Sequence, residues 1–341
     1  MILPTRELAG TGIKTSAIGF GCAGLFLIPE RSVRRLALDA AYDAGIRHFD
    51  VAPMYGLGLA EAELAPFLSR RRSDVTITTK FGIEPTALGR AIARVQRPVR
   101  AFLAKRPALG EEMKVAGQGP HSGAVGRLIY ASPGYHRQSA QRGLERSLRA
   151  LDTDYIDVFL LHDPTGGVIK EAPSLVEYLE EQRRLERIRC WGVTGPPAEL
   201  PDVMQVLDKA AVAQFKDDIF APSPTDGQLS DRAVITYGAL AQALPLIRRF
   251  LAEFPEASKV WSERLGMDLE DAASLAKMLL GAALRRNLAG PVLFSSTRPE
   301  RAQVAAAAAI LSTRISATEL AKISEFAMAV RLARAKMTVT P

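Results

Sequence analysis

Four side chains of different chemistry stand at or just past the ends of short apolar runs. Asp50 and Tyr55 fall in Phe49-Asp50-Val51-Ala52-Pro53-Met54-Tyr55-Gly56, Lys80 in Thr79-Lys80-Phe81-Gly82, and His162 in Leu160-Leu161-His162-Asp163. A phenol is a poor acid at neutral pH, with a reference pKa of about 10. An adjacent ammonium favours the phenolate and is expected to lower that value, and a carboxylate beside the ammonium keeps it charged and fixed. An imidazole can hydrogen-bond a substrate oxygen and orient it. Together the four would form a proton donor for a developing alkoxide. The set has no nucleophile and no metal cage, so its missing partner is a hydride source, and a nicotinamide cofactor is implied. Taken singly, each residue has a plainer reading: Asp50 caps a turn, Lys80 reaches to the surface, His162 is structural. The case rests on convergence, which only a fold can supply.

Short β-rich runs at 16–20, 46–50, 75–80, 155–161, 189–194, 211–215, 233–237 and 291–295 alternate with amphipathic stretches. Those stretches lie at 31–44, 59–71, 139–150, 171–186, 197–209, 239–254, 268–289 and 299–311. Most of the runs are continuously apolar, as strands are when both faces are covered. Eight β units, each followed by a helix, predict an α/β fold: a (β/α)8 TIM barrel, one domain over residues 1–341. Polar residues at the C-terminal ends of barrel strands gather around one axis, the position predicted for Asp50, Lys80 and His162. Residues 5–15 predict an N-terminal hairpin turning at Gly10-Thr11-Gly12, and 316–336 an extra C-terminal helix. Residues 84–138 form a long insertion after the third strand. In it Arg90, Arg94, Arg97, Arg100, Lys105 and Arg106 flank Ile92, Val95, Val99 and Phe102, with no acid from 85 to 110. It reads either as a solvated basic excursion or, since it leaves a strand's C-terminal end, as a lid.

Composition narrows the function classes. Of 341 residues 48% are hydrophobic and 24% charged, and 44 Lys+Arg against 37 Asp+Glu leave a net charge of +7. Disorder, collagen, coiled coil and a disulfide scaffold are excluded. Two cysteines, Cys22 and Cys190, supply neither a disulfide framework nor a Cys-based zinc cluster. The first residues lack a signal-peptide pattern and no apolar run reaches membrane-spanning length, so a cytoplasmic chain without a membrane partner is expected. Aromatics are 6% and not interleaved with basic clusters, so no nucleic-acid partner is expected; the basic balance suits a small phosphorylated ligand. Two decoys fail on context. Gly19-Phe20-Gly21-Cys22-Ala23-Gly24 fits G-x-G-x-x-G, but residues 25–29 intervene, ending in Pro29, where a dinucleotide-binding helix should open. His48 and Asp50 share a strand face, as in metal-dependent barrel hydrolases. The further ligands are missing, because His121 and His136 lie in the insertion, and no metal is expected.

Gly19-Phe20-Gly21, the segment 49–56 with Gly58 and Glu61, Thr79-Lys80-Phe81-Gly82, the run from Ser147 to Asp157, and His162 carry a resemblance to the aldo-keto reductase family. It extends over nearly the whole chain, toward the bacterial aldose-dehydrogenase-like and aryl-alcohol-dehydrogenase-like branches. The resemblance implies that Asp50, Tyr55, Lys80 and His162 form the catalytic tetrad, with Tyr55 as general acid/base for hydride transfer between nicotinamide and a carbonyl carbon. It implies NADPH/NADP as cofactor, with NAD possible, held by Gly21, Cys22, Thr194, Gln214, Tyr237, Gly238, Ala239, Leu240, Ser295, Ser296, Thr297, Arg298 and Arg301. Tyr237 would stack on the nicotinamide and Arg301, with Ser296, would meet the 2′-phosphate. Arg298 and Arg301 also read simply as exposed residues in the first turn of a helix. The chain departs from the pattern at Gly195, where the family usually has Asn, and at Val304 and Ala305, where many relatives have Glu and Asn near the adenine. Three functions compete: reduction of an aldehyde or ketone, oxidation of a sugar lactol, and a non-catalytic cofactor-sensing subunit. The partner is a small carbonyl or sugar substrate, and the assembly a monomer or small homo-oligomer.

Overall fold

In the computed structural model, which describes residues 2–93, 124–164, 169, 172–221, 229 and 231–338, eight parallel strands close into a barrel. The strands in chain order are β1 (Thr5–Leu8), β2 (Ile13–Ser16), β3 (Ile18–Gly21), β4 (His48–Asp50), β5 (Thr76–Phe81), β6 (Glu84–Pro85), β7 (Tyr130–Ala131), β8 (Ile156–His162), β9 (Ile188–Thr194), β10 (Val212–Lys216), β11 (Ala233–Tyr237) and β12 (Val292–Phe294). The helices are α1 (Arg31–Asp43), α2 (Ala60–Leu68), α3 (Ala124–Ile129), α4 (Arg137–Leu151), α5 (Ala172–Arg184), α6 (Leu200–Val206), α7 (Ala243–Glu253), α8 (Pro255–Leu265), α9 (Ala272–Arg286), α10 (Arg301–Ser312) and α11 (Ala317–Thr338). The barrel runs β3-β4-β5-β8-β9-β10-β11-β12 and closes by pairing β12 with β3. Every residue of β5 and β8 is buried, and in β8 the four residues 158–161 are apolar without alternation, whereas β5 carries threonines at 76, 78 and 79.

The hairpin β1–β2 turns at Gly10 and Gly12, both at φ +72. Ser16 belongs to this hairpin and not to the first barrel strand; its hydroxyl donates to the Ile18 carbonyl at 2.6 Å, marking the corner between them. The stretch 197–209 is helical only over α6: prolines at 196 and 197 precede it, Pro201 is tolerated in its first turn, and Leu207 leaves helical geometry at ψ 61. The pattern missed α8, which Pro255 opens and Gly266 closes at φ +64. Helices α7, α8, α9 and α11 share a second apolar cluster centred on Phe326, whose ring lies 5.3 Å from Trp261 and 6.3 Å from Phe250. Burying such a side chain is worth about 1.5–3 kcal/mol, so α11 anchors the wall that α7 and α9 form beside the barrel mouth.

The insertion leaves through a neck in which β6 and β7 pair antiparallel, continued by Thr86, whose backbone N–H bonds the Ile129 carbonyl at 2.9 Å. Arg90 folds back on this neck, donating to the Pro85 carbonyl. Arg94, Arg97, Arg100, Lys105 and Arg106 lie outside the described residues, as does the segment on which the lid reading depends. No helix among the described residues is long and apolar enough to cross a membrane.

Candidate active site

Strand register brings the carboxylate and the amine together. Asp50 pairs with Thr78, and side chains alternate along a strand, so Lys80 shares the face of Thr78 one pleat farther on. That face is the barrel interior: Asp50 accepts from the amide of Gln214, on the distant strand β10, at 2.7 Å. Lys80 is 1% exposed and Asp50 3%, and a buried charge is tolerated only when paired. The Lys80 ammonium donates to Asp50 Oδ1 at 2.6 Å, to the Val51 carbonyl at 3.1 Å and to the Tyr55 hydroxyl at 3.3 Å. Its three protons are thus assigned, and its position is fixed. Thr79, on the opposite face, donates to Glu61 of α2 at 2.7 Å, which ties the helix to the strand from outside.

Burial alone would pull the Lys80 ammonium down, but Asp50 and the Tyr55 oxygen more than offset it and the net shift is upward. Tyr55 does not behave as its neighbour's charge predicts. Burial raises the phenol to about 12, and the opposing pull of Lys80 only limits that rise. The expected net lowering is therefore corrected: desolvation exceeds the ammonium's effect, and the phenol stays protonated across the physiological range. His48 is fully buried beneath Asp50, its ring 3.1 Å from the Thr78 hydroxyl, and burial followed by Lys80 pushes it down to about 3. Among the described residues no three His, Cys, Asp or Glu side chains gather in a metal-holding arrangement.

Tyr55 is aimed by a tight turn over Tyr55–Leu57. Gly56 takes φ +59 there, and a Cβ on it would come within 2.5 Å of the Phe26 ring, so only glycine lets the turn pack. The rings of Tyr55 and His162 stand edge to face at 6.4 Å, bordering the same open end of the barrel. The His162 carbonyl accepts from the hydroxyl of Tyr135, a residue on the insertion's returning limb. Gly82, at φ +110, makes room for that tyrosine: a Cβ would approach its ring to 2.2 Å. Tyr135 has no signal of its own in the sequence beyond the glycine after Lys80-Phe81, whose missing side chain makes room for it.

Beside this end lies a cleft of about 660 Å³ lined by Tyr237, Gly238, Ala239, Leu240, Ser295, Arg301 and Val304. These residues come from the end of β11 and the turn after it, the residue after β12, and α10, three separate parts of the chain. Gly238 sits at φ +91 with the Lys216 side chain running beneath it. The Ser295 hydroxyl donates to the Gly21 carbonyl at 2.7 Å, joining the ends of β12 and β3. Thr194 and Gln214 are buried at the top of β9 and β10, and Gly195 bonds the Gln214 carbonyl at 3.1 Å. Cys22 is fully buried and its thiol is pushed up by burial, so its side chain is closed to a ligand. Ser296, Thr297 and Arg298 form a local turn, the Ser296 hydroxyl taking the Arg298 N–H at 3.0 Å, outside the cleft lining. Sequence reasoning missed Arg248 of α7 and the start of α9, where Asp271 caps the helix at the cleft. Nothing local marks Arg248; it reaches the cleft because α7 packs against α9.

The aldo/keto reductase family profile matches residues 17–216, more than half the chain, and the protein belongs to this family. Its sequence is 30% identical over 161 residues to pyridoxal 4-dehydrogenase of Microbacterium luteolum, covering 46% of this chain and 42% of that protein. It is 41% identical over 78 residues to D-threo-aldose 1-dehydrogenase of a Pseudomonas species, covering 22% of this chain and 24% of that protein. The chain thus spans less than half the length of these two relatives. Its fold matches an aldo-keto reductase from Klebsiella pneumoniae solved in complex with NADPH, at TM-score 0.62 and 22% identity over 96% of this chain and 95% of that one.

Proposed function

We propose that this protein is an NADPH-dependent oxidoreductase that interconverts a carbonyl and an alcohol, with Tyr55 as general acid and base. The observation that carries the reading is the buried relay Gln214–Asp50–Lys80–Tyr55, which ends on a protonated phenol at the open end of the barrel. A buried lysine with all three protons directed is an expensive arrangement for structure alone, and its third proton faces the phenol oxygen. Tyr55 gives its proton to the developing alkoxide, and Lys80 at 3.3 Å then stabilises the phenolate that remains. Asp50 holds Lys80 in place, and His162 orients the substrate oxygen.

The residues present fit a dinucleotide. The cleft offers an aromatic ring at Tyr237, a glycine-containing turn for close backbone approach at 238–241, and the cations Arg248 and Arg301 for phosphate. Bound there, the nicotinamide supplies or takes the hydride. Val304 adds an apolar side chain to the lining of the same cleft. A second reading, oxidation of a sugar lactol, is favoured by the stretch that is 41% identical to an aldose dehydrogenase. Both directions use the same tetrad, and a panel of aldehydes with NADPH against free sugars with NADP⁺ separates them. Tyr55→Phe should lower kcat by about 10²–10⁴-fold while nucleotide affinity stays within about twofold. Native turnover in that variant overturns the assignment.

A further inference from the structure

Tyr135 ends the returning limb of the insertion, two residues before α4 begins, and is 5% exposed. Its ring lies 6.2 Å from Phe81, which stacks on Phe159 at 5.0 Å with the planes 18° apart, so the phenol continues an aromatic column rising from β5 and β8. Helix α4 rests on that column at Gly143, where a Cβ would come within 2.8 Å of Phe81. The helix start is locked by a reciprocal cap: the His136 N–H donates to the Ser139 hydroxyl at 3.1 Å, and the Ser139 N–H to the His136 ring at 3.4 Å. Tyr135 is thus held from both sides, and its hydroxyl donates to the His162 carbonyl. Burial pushes this phenol up, so it keeps the proton that it donates. The same limb meets the tetrad a second time: Tyr130 of β7 packs, with Tyr55, against Ala52, Met54 and Ile83. The limb therefore backs both Tyr55 and His162, whose rings stand 6.4 Å apart.

We propose that Tyr135 is a positioning residue: by holding the carbonyl of His162 it sets where the imidazole points relative to Tyr55, and so how a substrate oxygen is oriented for proton transfer. This rests on the oxidoreductase reading and deepens it. The hydroxyl lies outside the Gln214–Asp50–Lys80–Tyr55 relay and acts through His162. A side chain's direction follows its backbone, and a misplacement of about 1 Å at a reacting centre costs about 10²-fold in rate. The returning limb of the insertion thereby becomes part of the frame of the active site.

The test is a double-mutant cycle in the full chain: native, Tyr135→Phe, His162→Asn and the double variant. Turnover is followed with whichever aldehyde or sugar the native protein uses best, and NADPH affinity is read separately by fluorescence titration. Tyr135→Phe removes one hydroxyl and keeps the ring in its column. It should lower kcat by about 5–50-fold while NADPH affinity stays within about twofold. In the His162→Asn background the same change should lower kcat by less than about twofold, because no imidazole is left to misplace. Equal losses in the two backgrounds overturn the proposal, since a hydroxyl that merely supports the limb costs the same whichever residue stands at 162. Histidine-ring NMR gives a readout apart from turnover. The signal that disappears in His162→Asn should shift or broaden in Tyr135→Phe while that of buried His48 holds; an unmoved His162 signal overturns the proposal. If the native protein turns over no aldehyde or sugar with either nucleotide, the oxidoreductase reading fails, and the NMR comparison still decides whether Tyr135 sets the His162 ring.

Discussion

Replacing Lys80 by Met separates the relay's electrostatics from its packing. The methylene stem is largely kept, while Asp50, 3% exposed, loses the ammonium that sits 2.6 Å away and retains only the Gln214 amide. Removing one partner of a buried ion pair costs about 3–5 kcal/mol. With an unfolding entropy of about 2.1 cal/mol/K per residue, a chain of 341 residues loses about 4–7 °C in Tm for that cost. The Tyr55 phenol, already at about 12 with Lys80 pulling it down, would become a still weaker acid. Carbonyl reduction should therefore fall by about 10²–10⁴-fold. In the double variant Asp50→Asn/Lys80→Met no charge is left unpaired, so most of the lost Tm should return while activity does not. Calorimetry and NADPH oxidation on the same samples read both quantities. The reasoning is refuted if Lys80→Met keeps activity within about threefold of native, or if the double variant is no more stable than the single one.

Arg301→Ala should weaken NADPH by about 10–100-fold and NADH by less than about twofold, since a charge-assisted contact to the 2′-phosphate is lost. Equal losses for the two nucleotides in a fluorescence titration would remove Arg301 from that role. His48 gives a pH signature in stability. An unfolded histidine takes its proton at about 6.5, whereas His48 stays neutral down to about 3, so the unfolded state binds the extra proton and stability falls as pH drops through that window. Urea midpoints at pH 7 and about 4.5 should diverge less in His48→Asn than in the native chain, and parallel shifts would contradict the burial argument.

Much of this site was readable before the fold was known, for a physical reason. A strand buried on both faces tends to be apolar, so a hydrogen-bonding residue at its C-terminal end stands out against the run that precedes it. His162 is visible in that way after residues 158–161; Asp50 and Lys80 sit beside His48 and Thr79 and stand out by their charge, and Tyr55 follows Asp50 within one short loop. Arg301 and Ser295 are marked only by likeness to a family pattern, and the cleft they line confirms no more than their neighbourhood. Ser296, Thr297 and Arg298 share that pattern yet form a turn outside the lining, because local spacing does not tell which face of a turn meets the cleft.

The remaining features depend on segments far apart in the chain. Tyr135 reaches the His162 carbonyl only because the insertion returns over Gly82, and Arg248 reaches the cleft only because α7 packs beside α9. The direction of the Tyr55 shift is of the same kind: residue types predict that an ammonium lowers a phenol, whereas the amount of water excluded from it is a property of the assembled barrel. Residue identity sets which charges are available. Packing sets the dielectric in which they act and the distances between them, and at this site the dielectric outweighed the nearest charge.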